Sequence, residues 1–221
     1  MCYAFAGPIL ASGNLPAKHL ANAIVSLARQ KYLSPALVGA ARELLVANLA
    51  VCNGQDVSQI LFGLMLDKHT VPGAIETFSA IAQPLAHHLR CDDSFQAQSV
   101  SRILSSYAKV GCHCTQVFEA GTKRLAPHMN ELKPAFVAEL ASSLATAGHA
   151  DPPFMKRLGG VIKRRFHDYS PSMLCSALWA FAQSRTFHSD LFNLSCGKLS
   201  NLVSRGQLPH HDISQVRFAS D

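Results

Sequence analysis

Nine basic residues in the second half of the chain carry the clearest chemical signal. Lys156, Arg157, Lys163, Arg164 and Arg165 form a tight series, Lys123, Arg124 and Lys133 precede it, and Lys198 follows. Cations in such a series neutralise phosphates and release condensed counterions, which gives affinity for nucleic acid without reading its bases. On a helix, positions 157, 161 and 164 share one side, and 156, 160, 163 and 167 share another. No acidic run balances the series, which favours an RNA-contacting face over a plainly solvated helix face, although both fit the residues. Gly159-Gly160 interrupts the segment and is expected to loosen it. The formal charge of +6 is uneven. Residues 1–122 hold eight Lys/Arg and seven Asp/Glu, a net of +1, and residues 123–221 hold twelve and seven, a net of +5. A one-sided surplus of this kind is the footprint of a polyanionic partner.

Other chemistry finds little support. Cys112-His113-Cys114, with Cys91 or His87-His88 nearby in sequence, offers a C-x-C spacing where structural zinc uses paired spacings such as C-x₂-C. No metal site is therefore expected. There is no phosphate-binding loop, dinucleotide fingerprint, zinc-protease motif or nucleophile elbow. Cys175 and similar single candidates sit in apolar stripes. The expectation is a protein without catalytic residues or cofactors, and not an enzyme.

The elements that must position the cations emerge from self-similarity. Ser26-Leu27-Ala28, Ser106-Tyr107-Ala108, Ser143-Leu144-Ala145 and Ala180-Phe181-Ala182 share one pattern, with weaker copies at Gly63-Leu64-Met65 and Phe218-Ala219, the last preceded by Arg217. The anchors at 27, 64, 107, 144, 181 and 218 are spaced by 37, except for one interval of 43 whose extra residues are placed in His87 to Asp93. Seven residues before the first five anchors stand Leu20, Val57, Val100, Val137 and Leu174, and four before stand Ala23, Ile60, Ile103, Leu140 and Ala177. Offsets of −7, −4 and 0 make one stripe of a helix, termed A. The small residue beside each anchor admits a neighbouring helix closely.

A second helix, B, follows each anchor. Pro35, Pro72 and Pro152 suit its first turn, with Ser34 and Asp151 as N-caps and Ser189-Asp190 at the equivalent place. Leu37, Ile75, Phe118, Phe154 and Leu191 begin its apolar stripe, continued by Leu44, Leu45, Leu125, Leu158, Val161, Ile162, Leu194 and Leu199. Pro134 and Pro171 mark the B-to-A turns. The expected fold is all-α, a single α-solenoid domain over residues 1–221. Its two-helix units cover roughly 16–52, 53–92, 93–130, 131–167 and 168–204, with a partial unit 205–221. One hairpin cannot bury both apolar faces, so the units must stack. The sequence ends halfway through a unit, so the expectation is that the chain is a fragment, that the rest is disordered, or that another subunit covers the open end.

Five residues before each anchor stand Asn22, Gln59, Arg102, Glu139 and Ser176. They suit an exposed helix side and equally a set of base-contacting positions. The seven cysteines are odd in number and lack a disulfide-like framework, which favours a reducing or organelle-matrix compartment. The paired histidines His87-His88 and His210-His211 are expected at the surface near turns. No apolar run is long enough for a membrane span. The segment MCYAFAGPILASG lacks the basic start of a signal peptide and the arginines of a transit peptide.

The 37-residue hairpin carrying Leu178-Trp179-Ala180-Phe181-Ala182 after Tyr169-Ser170-Pro171 resembles the octotricopeptide and heptatricopeptide repeat proteins. Many of those end in a RAP domain, which this sequence does not contain. Residues 167–203 match best, then 130–166, and the likeness weakens toward the N-terminus. The resemblance implies an RNA-binding component of an organellar ribonucleoprotein, the mitochondrial ribosome among them. It implies a mitochondrial-matrix location, with ribosomal RNA and neighbouring proteins of a large complex as partners. The alternative is a scaffold solenoid that binds proteins without touching RNA.

Overall fold

The structure, a computed structural model, describes residues 16–67, 73–186 and 188–206, with 209, 212 and 214. Expectations for Cys2, the N-terminal apolar segment, Pro72, His210-His211 and the anchor Phe218 lie outside the described residues. Every regular element among the described residues is helical: ten α-helices, three short 3-10 turns and no strand. The A helices are α1 (Ala17–Arg29), α3 (Gly54–Leu66), α5 (Ala97–Val110), α7 (Pro134–Ala147) and α9 (Pro171–Gln183). The B helices are α2 (Pro35–Ala47), α4 (Ala74–Cys91), α6 (Thr115–Leu125), α8 (Pro152–Arg164) and α10 (Ser189–Ser204). The chain divides into two compact units, residues 1–124 and 125–221.

Within each unit the broadest interfaces join A helix to A helix: α1 with α3, α3 with α5, and α7 with α9. The A stripe is fully buried from the second anchor onward: Val57, Ile60 and Leu64; Val100, Ile103 and Tyr107; Val137, Leu140 and Leu144; Leu174, Ala177 and Phe181. In α1 the stripe is shifted. Leu20, Ala21, Ile24 and Ala28 are buried, whereas Ala23 and the anchor Leu27 are only partly covered. Helix α1 packs closely on α3, and Ile24 lies at that interface. Gly63 permits this approach. A Cβ there would lie 2.6 Å from Ile24 Cγ2, so the small residue beside the anchor is a steric requirement in this copy.

Helix starts follow local chemistry. The Ser34, Asn53, Asp151 and Ser170 side chains accept the Leu37, Asp56, Phe154 and Met173 N–H groups, each satisfying one orphan donor. Pro35 and Pro152 open α2 and α8, and Pro134 and Pro171 stand at the first turns of α7 and α9 themselves. In α10, Ser189 and Asp190 lie inside the first turn, and the preceding position is His188.

Four A helices end in the same hydrogen-bonded turn. The carbonyls of Leu27, Tyr107, Leu144 and Phe181 accept the N–H five residues on, from Tyr32, Cys112, His149 and Thr186. The residue between is left-handed each time: Lys31 (φ 58°), Gly111 (φ 82°), Gly148 (φ 72°) and Arg185 (φ 52°). This is a Schellman closure, in which the carbonyl of the Ala after the anchor accepts the N–H of the left-handed residue.

The B helices bury offsets +10, +14 and +18 from the anchor in all five copies, running from Leu37, Ala41 and Leu45 in α2 to Leu191, Ser195 and Leu199 in α10. Ile75 is 42% exposed and Leu194 46% exposed, and their places in the stripe are taken by Ala74 and Ser195. The extra residues of the 43-residue interval are helical, as the last turns of α4, so His87 and His88 sit on a helix. Gly159 does not loosen α8, which is continuous. A Cβ at Gly159 would lie 2.5 Å from His188 Cδ2, so the glycine lets the chain entering α10 pass closely.

Candidate nucleic-acid interface

Seven of the nine sequence-derived cations lie in the second unit and two close the first. Most make internal bonds. Arg157 donates to the Ala126 carbonyl at 2.6 Å, Arg164 to Asn130 Oδ1 at 2.8 Å, and Arg165 to the Leu132 and Asn130 carbonyls at 2.8 and 3.3 Å. All three converge on the 3-10 turn Ala126–Glu131 and on Leu132, which follows it. Lys198 serves the next such turn, donating to the Tyr169 carbonyl at 3.2 Å and lying over the Phe166 ring.

Arg165 also pairs with Asp168, Lys163 with Asp190, and Arg124 with Asp93 in the first unit. Lys163 holds the Asp190 carboxyl below its ordinary range, through its hydrogen bond first and its charge second. Lys123, Lys133 and Lys156 are exposed. A guanidinium bonded to neutral carbonyls keeps its charge, so Arg157 and Arg164 still contribute positive potential. Their geometry, however, is set by the turn they hold.

A different surface comes from the A helices. On each A helix most of the residues at offsets −9, −5, −2 and +2 are exposed or partly exposed. On α3 these are Gln55, Gln59, Phe62 and Leu66, the rest of the helix being almost wholly buried. The same register gives Lys18, Asn22, Val25 and Arg29 on α1, and Gln98, Arg102 and Lys109 on α5, where Ser105 is buried. The −5 positions named from sequence therefore lie on a real ridge, together with three positions the sequence reading passed over.

The first unit's ridge carries Lys18, Arg29, Arg102 and Lys109 and no acid. The one acidic residue on α1, α3 and α5 is Asp56, which is buried. Burial raises its pKa, and the charge of Lys18 acts against that rise. Asp67, at the end of α3, is buried too. The acids of this unit that reach the surface stand on or beside B helices: Glu43, Glu76, Asp92, Asp93 and Glu119. On the second unit's ridge stand Ala135, Glu139, Ser142 and Thr146, then Ser172, Ser176, Trp179 and Gln183, with no cation. The segregation in the first unit was hidden because the total charge of residues 1–122 is nearly balanced. Sorting charges by helix offset would have exposed it.

Among the described residues no three His, Cys, Asp or Glu side chains group to hold a metal. Cys112 and Cys114 lie between α5 and α6, with Cys112 Sγ 3.8 Å from Ser79 Oγ, and burial raises the Cys112 thiol pKa. No helix of the described residues is long and apolar enough to cross a membrane. No family model matches the chain, and no curated protein matches it.

Proposed function

We propose that this chain is an RNA-binding helical-repeat protein, a non-enzymatic structural component of an organellar ribonucleoprotein. The resemblance to octotricopeptide and heptatricopeptide proteins points to the mitochondrial matrix and to the mitochondrial ribosome as the particle. The observation that carries the reading is the ridge of α1, α3 and α5, where Lys18, Arg29, Arg102 and Lys109 share one register with no acidic side chain among them. A-to-A stacking within each unit and the common Schellman closure support a solenoid of two-helix repeats. In that arrangement A ridges lie side by side, and the outward cations Lys123, Lys133 and Lys156 add a second, less ordered source of phosphate attraction.

The test is salt dependence. Four phosphate contacts on single-stranded RNA predict log affinity falling against log salt with a slope of about −3. A slope near zero in fluorescence anisotropy ends the RNA reading. The protein-scaffold alternative has its own observation: the second unit's ridge has no cation and carries Glu139, which repels phosphate, beside the half-buried Trp179. Retention of neighbouring proteins after nuclease treatment favours that alternative.

A further inference from the structure

We propose that Phe62, with Arg102 lying against its ring, forms a stacking platform for one unpaired base of single-stranded RNA. The proposal rests on the ridge of α1, α3 and α5 being the RNA surface, and it names which RNA that surface takes. Phe62 is an aromatic side chain left half-buried on a helix that otherwise covers nearly all its apolar residues. The Arg102 guanidinium carbon from α5 lies 5.5 Å from its ring centroid. Leu66, 41% exposed, follows one turn further along α3.

A surface that only collected phosphates would need cations alone. An aromatic face with a guanidinium held against it stacks any base and is sequence-tolerant. A duplex keeps its base faces covered by their own neighbours, so it cannot use such a pair. The flanking charge fits a strand crossing the ridge. Helix α3 packs broadly against both α1 and α5, which puts Lys18 and Arg29 on one side of Phe62 and Arg102 and Lys109 on the other. Lys109 stands about 10 Å beyond Arg102 along α5, two turns on the same face.

The test compares a fluorescein-labelled 12-nucleotide oligo(A) with a 12-base-pair RNA duplex, using the full chain, Phe62→Ala and Phe62→Trp. Circular dichroism and Tm confirm folding of each variant. Phe62→Ala is expected to weaken oligo(A) binding by about tenfold, since one base stack is worth roughly 1–3 kcal/mol. It should leave both duplex affinity and the salt slope unchanged, and Phe62→Trp should bind oligo(A) at least as well as the parent. Equal loss on both RNAs, or no loss on oligo(A), overturns the stacking platform while leaving the RNA surface standing. Displacement of the RNA by a polyglutamate peptide equally from parent and Phe62→Ala also overturns it, in favour of an acidic-peptide surface. If the parent binds neither RNA at low salt, the RNA reading fails and takes the stacking platform with it.

Discussion

The A helices of the two units differ in charge, since the ridge of the first carries four cations and that of the second none. In residues 1–124 the A ridge holds Lys18, Arg29, Arg102 and Lys109, and the acids that reach the surface lie on or beside B helices. In residues 125–221 the A ridge has no cation, and the lysines and arginines crowd α8 and its end, where three arginines tie down a 3-10 turn. Net charge does not separate the units, since each holds ten Lys/Arg and seven Asp/Glu, a net of +3. The difference teaches that a cation's value to a partner depends on where it stands and what else it must do. A cation bonded to its own unit's backbone turn is committed to holding that turn.

Neutralising the two sets tests this contrast most severely. The combined Lys18→Gln, Arg29→Gln and Lys109→Gln variant is expected to lose more than about tenfold in single-stranded RNA affinity. Its salt slope should shrink by about 2 in anisotropy titrations. Lys133→Gln with Lys156→Gln, both exposed in the second unit, should change affinity by only about threefold, since these lysines lie off the ordered ridge. The reverse ranking would return the interface to the second unit's basic series.

Arg165 gives the next largest effect, now in stability. Its guanidinium satisfies the Leu132 and Asn130 carbonyls, so Arg165→Ala leaves acceptors short of a partner. A loss of about 1–3 kcal/mol in urea unfolding is expected, with little change in RNA affinity. A variant that keeps full stability but binds RNA poorly would make Arg165 a ligand residue.

The smallest contrast is one in which the units should agree. Cys52 in the first unit and Cys175 in the second have thiols pushed by burial up to about 11, and burial lifts Tyr169 to about 12. Each folded value lies above its unfolded counterpart, so the neutral form is favoured in the fold. The contribution is complete below about pH 9, where the unfolded thiols are still protonated. It falls as pH rises through the folded values. Thermal melts between about pH 8 and 11 should show Tm declining above about pH 9. A flat profile would mean that these groups ionise freely in the folded protein.

Much of the architecture was legible because helices are local. The stripe at −7, −4 and 0 and the caps Ser34 and Asp151 depend on residues within a few turns of one another, and the helices observed match them. Other features were not legible, for equally physical reasons. Cys52, Phe95, Leu132 and Tyr169 occupy one buried position, twelve residues before successive anchors. They escaped notice because they share burial without sharing chemistry. Lys31 and Arg185 adopt the left-handed turn that Gly111 and Gly148 advertise, and neither side chain announces it. The candidate site was half visible: the −5 positions could be read, but nothing in the repeat pattern set Phe62 apart.

By itself the sequence determined where helices begin, which side of each is apolar, and that the pattern returns at a fixed interval, since all of these follow from neighbours along the chain. Tertiary structure decided which arginines reach backward to hold a turn, and which way the α1 stripe rotates. It also set Arg102 against a phenylalanine forty residues away in sequence. Those outcomes depend on distances between separate helices, and only packing fixes such distances.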